Sequence, residues 1–184
     1  MDDPTCDDLT VIQRVLAGES SAFRLLVTRY QARLFGLLRN MIRDPHECED
    51  LAQDIFLAAY RNLARHDPAR GRFSTWFFRI ARNKSLDALA KRRPAPTDPL
   101  PVPVDTRTPP DCLAEREFLQ QLDRALDALP LDQRTAFVLC ELTGLTGDHA
   151  AAIEHVAPGT IRSRVSRAKA ALRAALKSRA GDLQ

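Results

Sequence analysis

Apolar residues recur at intervals of three and four along most of the chain, and no long run alternates apolar with polar positions. Spacing of three and four puts apolar side chains on one face of an α-helix, whereas alternation would indicate a strand. The pattern therefore predicts an all-α protein. In the first half it predicts four helices, from Leu9 to near Gly18, from Phe23 to Met41, from Asp44 through Ala64, and from about Ser74 to Arg93.

The start of the third helix has the strongest local signal. Asp44 is suited to the N-cap, Pro45 to the first helical position, and Glu47 to the third position of a capping box. In the second half of the chain the pattern predicts a helix near residues 112–128, another near 131–142, and a pair separated by a short turn around His155.

Proline divides the chain into two parts. Residues 94–110, PAPTDPLPVPVDTRTPP, contain seven of the twelve prolines and no pattern that could bury a face. Such a segment is expected to be a stiff, extended tether with a reach of about 50 Å at about 3.1 Å per residue. We therefore expect two small helical domains, residues 7–93 and 111–180, joined by this linker.

The net charge of the chain is only +3, but its distribution is uneven. Residues 70–93 carry +7 and residues 162–184 carry +6. Two basic elements on otherwise acidic domains indicate two contact points for one polyanion. The N-terminus is acidic and the apolar runs are short, so we expect no membrane insertion, no secretion signal and a cytoplasmic location.

Catalytic chemistry has little support in the sequence. The four cysteines lie far apart without a CxxC pair, and among the histidines and cysteines only His46 and Cys48 are close in sequence. No constellation of histidine, cysteine and carboxylate and no phosphate-binding glycine loop is present. We expect a non-enzymatic protein with reduced cysteines, no metal and no cofactor.

The third helix has an unusual polar face. Opposite its apolar side it presents Asp50, Gln53, Asp54 and Leu57, and the two aspartates form a like-charge pair at i,i+4. That pair costs a few tenths of a kcal/mol. The face is either an ordinary solvated surface or a protein-docking patch, in which a small apolar contact is ringed by polar groups.

The segment FSTWFFRIARNK, residues 73–84, crowds aromatic residues beside cations. On a helical wheel Phe73 and Phe77 lie on the apolar stripe, while Trp76 and Phe78 fall at its two edges. The edge residues either widen the buried face or form a surface on which unstacked bases stack. Because Trp76 neighbours Arg79 and Asn83 in a basic segment, we favour nucleic-acid binding.

The second basic element, residues 159–179, reads GTIRSRVSRAKAALRAALKSR. A narrow apolar stripe runs along it, and the arginines and serines of its first turns lie off that stripe. With the short helix after Thr146 and the intervening turn, it forms a helix-turn-helix whose second helix can enter a DNA major groove. The helix macrodipole does not explain arginines at the helix start, where positive charge is disfavoured.

Together these segments resemble the bacterial RNA polymerase sigma factors of the extracytoplasmic-function (ECF) class. DLAQDIFLAAYRNL is similar to the polymerase-binding helix of that family, and RGRFSTWFFRIARNKSLDALAKRR to its minus-10 and promoter-melting segment. LTGLTGDHAAAIEHVAPGTIRSRVSRAKAALR is similar to its minus-35-reading helix-turn-helix. The resemblance covers nearly all of residues 9–177 and implies a sigma region 2 bundle, a linker and a sigma region 4 domain.

The resemblance also implies partners and site residues. Core RNA polymerase would bind through its clamp-helices coiled coil, and promoter DNA would bind both basic elements. The resemblance also implies an anti-sigma factor as a further partner. The polymerase-binding positions are Asp50, Gln53, Asp54, Phe56 and Leu57. The minus-10 and melting positions are Asp67, Arg70, Arg72, Phe73, Trp76, Arg79 and Asn83, with the loop from Asp67 to Arg72 cradling a flipped base. The minus-35 positions are Thr160, Arg162, Ser163, Arg164, Ser166 and Arg167.

The helix-turn-helix departs from the family pattern at its turn. Ala150, Glu154 and His155 stand where isoleucine and glycine are common, and Ala157-Pro158 replaces a Pro-Val order. These departures leave the minus-35 preference open. Two other functions remain possible from the residues alone, a stand-alone helix-turn-helix regulator and a sigma-mimicking protein-interaction module.

Overall fold

The computed structural model describes residues 7–42, 44–91 and 121–180, and within these ranges the chain forms helices and turns without a strand. The predicted all-α class is confirmed. The N-terminal unit, residues 7–91, contains α1 (Asp8–Leu16), α2 (Phe23–Met41), α3 (Pro45–Arg61) and α4 (Phe73–Lys91). The C-terminal unit, residues 121–180, contains α5 (residues 121–127), α6 (Leu131–Phe137), α7 (Gly147–Glu154) and α8 (Pro158–Ala180).

Helix α3 begins as its local sequence dictates. The Asp44 carboxylate accepts hydrogen bonds from the backbone N–H groups of His46, at 2.9 Å, and Glu47, at 3.4 Å. These bonds satisfy two donors that the first helical turn leaves without a partner. The helix ends at Arg61 instead of Ala64, because the chain tightens into a 3₁₀ turn over Leu63–Arg65.

An aromatic cluster forms the centre of the N-terminal unit. The Tyr30 ring of α2 contacts Phe73, Phe77 and Phe78 of α4, with ring centroids 5.4, 5.3 and 6.1 Å apart. Phe78 is completely enclosed, so at this edge of the stripe the aromatic residue widens the buried face. Rings packed at such angles contribute beyond the apolar area they bury.

The C-terminal unit contains the predicted helix pair. The Thr146 hydroxyl caps α7 by accepting from the His149 N–H at 3.3 Å, and α7 ends at His155, which has φ 55° and ψ 41°. The predicted single helix over residues 131–142 is divided, because α6 continues into a π-helix over Val138–Leu142. Helix α8 packs against α6 and α7.

The two units pack directly against each other. Helix α2 contacts α6 and the π-helix, and α4 contacts α7. Buried residues of both units form one continuous apolar cluster, in which Leu139, Ile153 and Ile161 belong to the C-terminal unit. The predicted linker, residues 94–110, lies outside the described residues, as do the parts of both predicted domains that flank it.

Candidate nucleic-acid and partner interfaces

The acidic face of α3, defined by Asp50, Gln53, Asp54 and Leu57, is exposed throughout. Leu57 retains 44% of its surface despite being apolar. The three polar residues also line one wall of an open groove of about 560 Å³, whose opposite wall includes Ala88 and Lys91 of α4. The predicted face therefore exists as a continuous surface with an apolar residue among acids.

Two aromatic residues of α3 lie beside or beneath the acidic face. Phe56 is half-buried, and its ring packs 5.2 Å from that of Phe77, so it supports the face from the core side. Tyr60 is 41% exposed and follows Leu57 by one turn. Its exposure was not predicted, although its spacing from Gln53 and Leu57 places it on the same side of the helix.

Trp76 occupies an intermediate position at the start of α4. It is half-buried, and its ring contacts those of His66 and Phe73 at 5.6 Å each. Arg79 and Asn83, one and two turns further along, are exposed. Phe73 is only 3% exposed, so it supports Trp76 from beneath and does not offer a surface to a base.

The turn before α4 is exposed and internally braced. The Asp67 carboxylate accepts from the Ala69 N–H at 2.9 Å and lies 3.4 Å from the Arg70 guanidinium. Gly71 has φ 150° and ψ 171°, a conformation essentially restricted to glycine. The fixed turn places the exposed Arg70 and Arg72 just ahead of Trp76.

The first turns of α8 present four exposed polar side chains to solvent, those of Arg162, Ser163, Ser166 and Arg167. Thr160 is half-buried, and its carbonyl accepts from the Ser163 hydroxyl at 2.9 Å. Ile161, Ala168 and Leu172 are buried on the opposite side. The helix is therefore anchored on its apolar stripe and leaves its arginine-rich edge free of the core.

Arg164 differs from the other predicted minus-35 residues. Its side chain is 20% exposed, and its guanidinium lies 3.1 Å from the Asp132 carboxylate and 3.8 Å from that of Glu154. Glu154 also accepts from Arg82 of α4 at 2.9 Å. The structure thus turns Arg164 toward the junction between the two units. Neither Arg82 nor Glu154 was predicted to be a site residue, and the only signal in the sequence was a carboxylate among the apolar positions of α7.

His155 adopts the left-handed conformation at the turn between α7 and α8, alone among the described non-glycine residues. Its side chain is exposed. Histidine is tolerated there better than a β-branched residue, but at a cost that glycine would not have. The unusual turn residue is accommodated, and the helix-turn-helix geometry forms around it.

The described residues contain neither a metal-binding cluster nor a membrane-spanning helix. No group of three or more histidine, cysteine or acidic side chains is arranged there to hold a metal ion. Across residues 7–42, 44–91 and 121–180, no helix combines the length and apolar character needed to span a bilayer.

Family comparisons match both units. The Sigma-70 region 2 family model matches residues 26–94, and the Sigma-70 region 4 model matches residues 119–172. The chain is 34% identical to the RNA polymerase sigma-H factor of Pseudomonas aeruginosa over 92% of this chain and 94% of that protein. It is 34% identical to the ECF sigma-E factor of Escherichia coli K12, covering 90% and 92%, and 31% identical to ECF sigma factor SigW of Bacillus subtilis, covering 90% and 95%.

Solved structures match the fold over most of the chain. CnrH in complex with the cytosolic domain of CnrY aligns with a TM-score of 0.71 at 28% identity, over 96% of this chain and 99% of that one. The sigma factor RpoE of Bartonella quintana, in complex with the anti-sigma factor NepR, aligns with a TM-score of 0.70 at 27% identity, over 84% and 96%. The chain therefore belongs to the ECF class of RNA polymerase sigma factors and directs transcription initiation.

Proposed function

We propose that the acidic face of α3 docks on the clamp-helices coiled coil of core polymerase. On the same proposal, the turn of residues 67–72 and the exposed edge of α4 read and help to melt the minus-10 element, and the first turns of α8 read the minus-35 element. The observation that carries the docking assignment is the exposure of Asp50, Asp54 and Leu57 along one face. A like-charge pair beside an exposed leucine has no stabilising role in the free chain.

The minus-10 assignment is supported by the combination of side chains at one end of α4. A partly exposed indole can stack on an unpaired base, exposed arginines can bind phosphate, and an exposed amide can bond to a base edge. Trp76, Arg79 and Asn83 provide these three groups within two helical turns. Phe73 and Phe56 act in this proposal as supports for the exposed residues.

The minus-35 assignment is supported by the exposed edge of α8. Arg162, Ser163, Ser166 and Arg167 lie in the first turns of the second helix of a helix-turn-helix, the part that reaches base edges in a major groove. Thr160 lies close to the helix start, where hydroxyl and backbone donors bind phosphate. Arg164 is paired with Asp132 and Glu154 of its own unit, so a DNA phosphate must displace these acids before it can bind Arg164.

In this proposal the polymerase-docking and minus-10 roles belong to the predicted domain of residues 7–93, and the minus-35 role belongs to that of residues 111–180. We further propose that the chain performs no bond chemistry, which the polymerase supplies, and that it works in the cytoplasm, where it meets polymerase and chromosome. CnrH and the Bartonella RpoE were solved with CnrY and with the anti-sigma factor NepR. We propose that an anti-sigma factor also binds the present chain.

A stand-alone helix-turn-helix regulator is not supported, because both sigma regions match in order. A sigma mimic that never touches DNA would have no use for the exposed arginines of α8.

A polymerase pull-down tests the docking assignment. Asp54→Arg is expected to abolish binding to core polymerase while leaving helical content and the DNA affinity of the isolated chain nearly unchanged. Glu49→Arg is the matched control, since Glu49 is an exposed acid on the same helix, about 140° from Asp54. Equal recovery of polymerase with both variants would remove the assignment.

A further inference from the structure

Three charged side chains meet at the junction between the two units, and we call Arg82, Glu154 and Arg164 the interdomain ion cluster. The Glu154 carboxylate lies 2.9 Å from the Arg82 Nε and 3.4 Å from its Nη2, so one guanidinium engages both oxygens. The Arg164 Nη1 lies 3.8 Å from the same carboxylate. One acid thereby joins α4 of the N-terminal unit to α7 and α8 of the C-terminal unit.

The cluster is largely withdrawn from water. The Glu154 side chain is 7% exposed, and those of Arg82 and Arg164 are 21% and 20% exposed. Burying a carboxylate costs several kcal/mol unless cations and hydrogen bonds compensate. Arg164 belongs to the same unit as Glu154 and provides part of that compensation in any arrangement, whereas Arg82 provides its part only while the units remain together. Separation of the units would therefore cost Glu154 its closer cation.

Each arginine also belongs to an element that the proposed function assigns to DNA. Arg82 directly precedes Asn83 on α4, and Arg164 lies between Ser163 and Ser166 on α8. Bound to Glu154, neither guanidinium is available to phosphate. DNA phosphates and the Glu154 carboxylate therefore compete for the same two cations.

The closed arrangement is also incompatible with simultaneous reading of two promoter elements. Contact with one carboxylate holds Arg82 and Arg164 a few ångströms apart. The names of the minus-10 and minus-35 elements place them about 25 base pairs apart, or about 85 Å of B-DNA at about 3.4 Å per base pair. The units must separate before α4 and α8 can occupy both elements.

We propose that Glu154 is an autoinhibitory residue, which is braced by Arg164 within its own unit, holds the two units closed through Arg82, and so keeps both DNA-binding elements from a promoter. This inference rests on the proposed DNA-binding roles of α4 and α8. A second polar link supports the same closed state, because the Arg134 guanidinium donates to the Asn40 carbonyl of α2 at 3.0 Å. Arg134 touches no DNA-binding element, whereas Glu154 couples closure to DNA binding.

The test compares Glu154→Gln with Glu141→Gln. Both variants remove one negative charge from the C-terminal unit, but Glu141 pairs with Lys169 inside that unit, at 2.8 Å. Glu154→Gln removes the carboxylate that pairs with Arg82 across the junction, while Arg164 keeps Asp132 at 3.1 Å, and it is expected to shift the chain toward the open arrangement. Small-angle scattering of the full chain without DNA should give a radius of gyration several ångströms larger for Glu154→Gln than for the wild type or Glu141→Gln.

DNA binding is measured separately, with a labelled duplex of mixed sequence about 60 base pairs long, which spans about 200 Å. Glu154→Gln should bind about threefold to tenfold more tightly than the wild type, because a larger fraction of the chain is open. Glu141→Gln frees Lys169 of α8 but leaves the junction intact, so it measures the gain expected from one released cation without opening. Opening without tighter binding, or equal scattering of the two variants, would overturn the proposal. Scattering without DNA measures only whether the two units are closed, so its result does not depend on the promoter roles proposed for α4 and α8.

If Glu154→Gln does not fold, a charge exchange between Arg82 and Glu154 tests the same contact. Arg82→Glu places a carboxylate against that of Glu154 across the junction and should expand the chain from the N-terminal side. Combining it with Glu154→Arg restores an opposite pair and should return the wild-type radius. Expansion that the double variant does not reverse would also overturn the proposal.

Discussion

The imidazole of His66 lies edge-on against the indole of Trp76, with ring centroids 5.6 Å apart and planes at 68°. His66 makes a similar contact with Phe73, at 5.7 Å and 76°. The residue that we assign to base stacking is therefore held by a ring from the end of the preceding helical segment. Its orientation is fixed before any DNA is present.

His66→Phe tests whether these contacts are apolar in nature. Both ring nitrogens of His66 are enclosed, and neither has a hydrogen-bond partner among the described residues. Phenylalanine keeps the edge-on geometry and removes two unsatisfied polar atoms. We expect the free energy of unfolding to stay the same or to rise by about 1 kcal/mol, measured by urea denaturation. A clear loss of stability would mean that the imidazole has a polar partner.

Trp76→Ala and Asn83→Ala separate strand melting from base reading. We expect both to impair open-complex formation on duplex promoters, Trp76→Ala by about fivefold to a hundredfold, since stacking is worth about 1–3 kcal/mol per base. A pre-melted bubble should rescue Trp76→Ala more than Asn83→Ala, because amide readout is needed on either template.

Trp76→Phe is the control for that experiment, since it keeps an aromatic ring at the same position. Equal rescue of Trp76→Ala and Asn83→Ala would assign the tryptophan a structural role only, as would a large loss of stability in Trp76→Ala.

Local signals allowed much of the fold to be predicted. The Asp44 cap and Pro45 fix the start of α3 through contacts within four residues, and the apolar stripe of α8 follows directly from its spacing. The helical wheel could not show which of Trp76 and Phe78 is buried, because both fall at edges of one apolar stripe. Tyr30 of α2 decides between them by covering Phe78.

Contacts distant in sequence were not predictable. Arg82 and Glu154 are 72 residues apart, and neither looks unusual on its own helix beyond the charge of Glu154. The sequence indicated separate domains on a tether, and it contained no pattern for their closure. The π-helix at Val138–Leu142 was likewise hidden, because one extra residue in a turn leaves the apolar spacing nearly helical.

His155→Gly is expected to stabilise the C-terminal unit. An L-residue in the left-handed conformation costs about 1–2 kcal/mol, which glycine avoids, while the greater freedom of glycine in the unfolded chain takes back part of that gain. We expect a net gain of about 0.5–1 kcal/mol in thermal or urea unfolding. Base preference should not change. His149→Gly, inside α7, should instead destabilise by a similar amount; destabilisation by both variants would contradict the prediction.

Arginines and lysines along α8 are expected to differ in what they recognise. Alanine at a base-reading arginine, Arg162 or Arg167, should cost about 1–3 kcal/mol on the preferred minus-35 element and relax preference there. Lys169→Ala should weaken binding to all sequences alike and reduce the salt slope by about one.

Affinities on a panel of minus-35 variants at several salt concentrations check this distinction. If alanine at both Arg162 and Arg167 leaves the ranking of sequences unchanged, α8 is an electrostatic anchor only.

Run-off transcription from a promoter library, with purified core polymerase and this chain, tests the central claim most directly. We expect initiation at a subset of templates that share two short elements, and loss of those transcripts with Asp54→Arg but not with Glu49→Arg. A core polymerase that is active with another sigma factor, yet gives no template-specific transcripts with this chain, would contradict its assignment as a sigma factor.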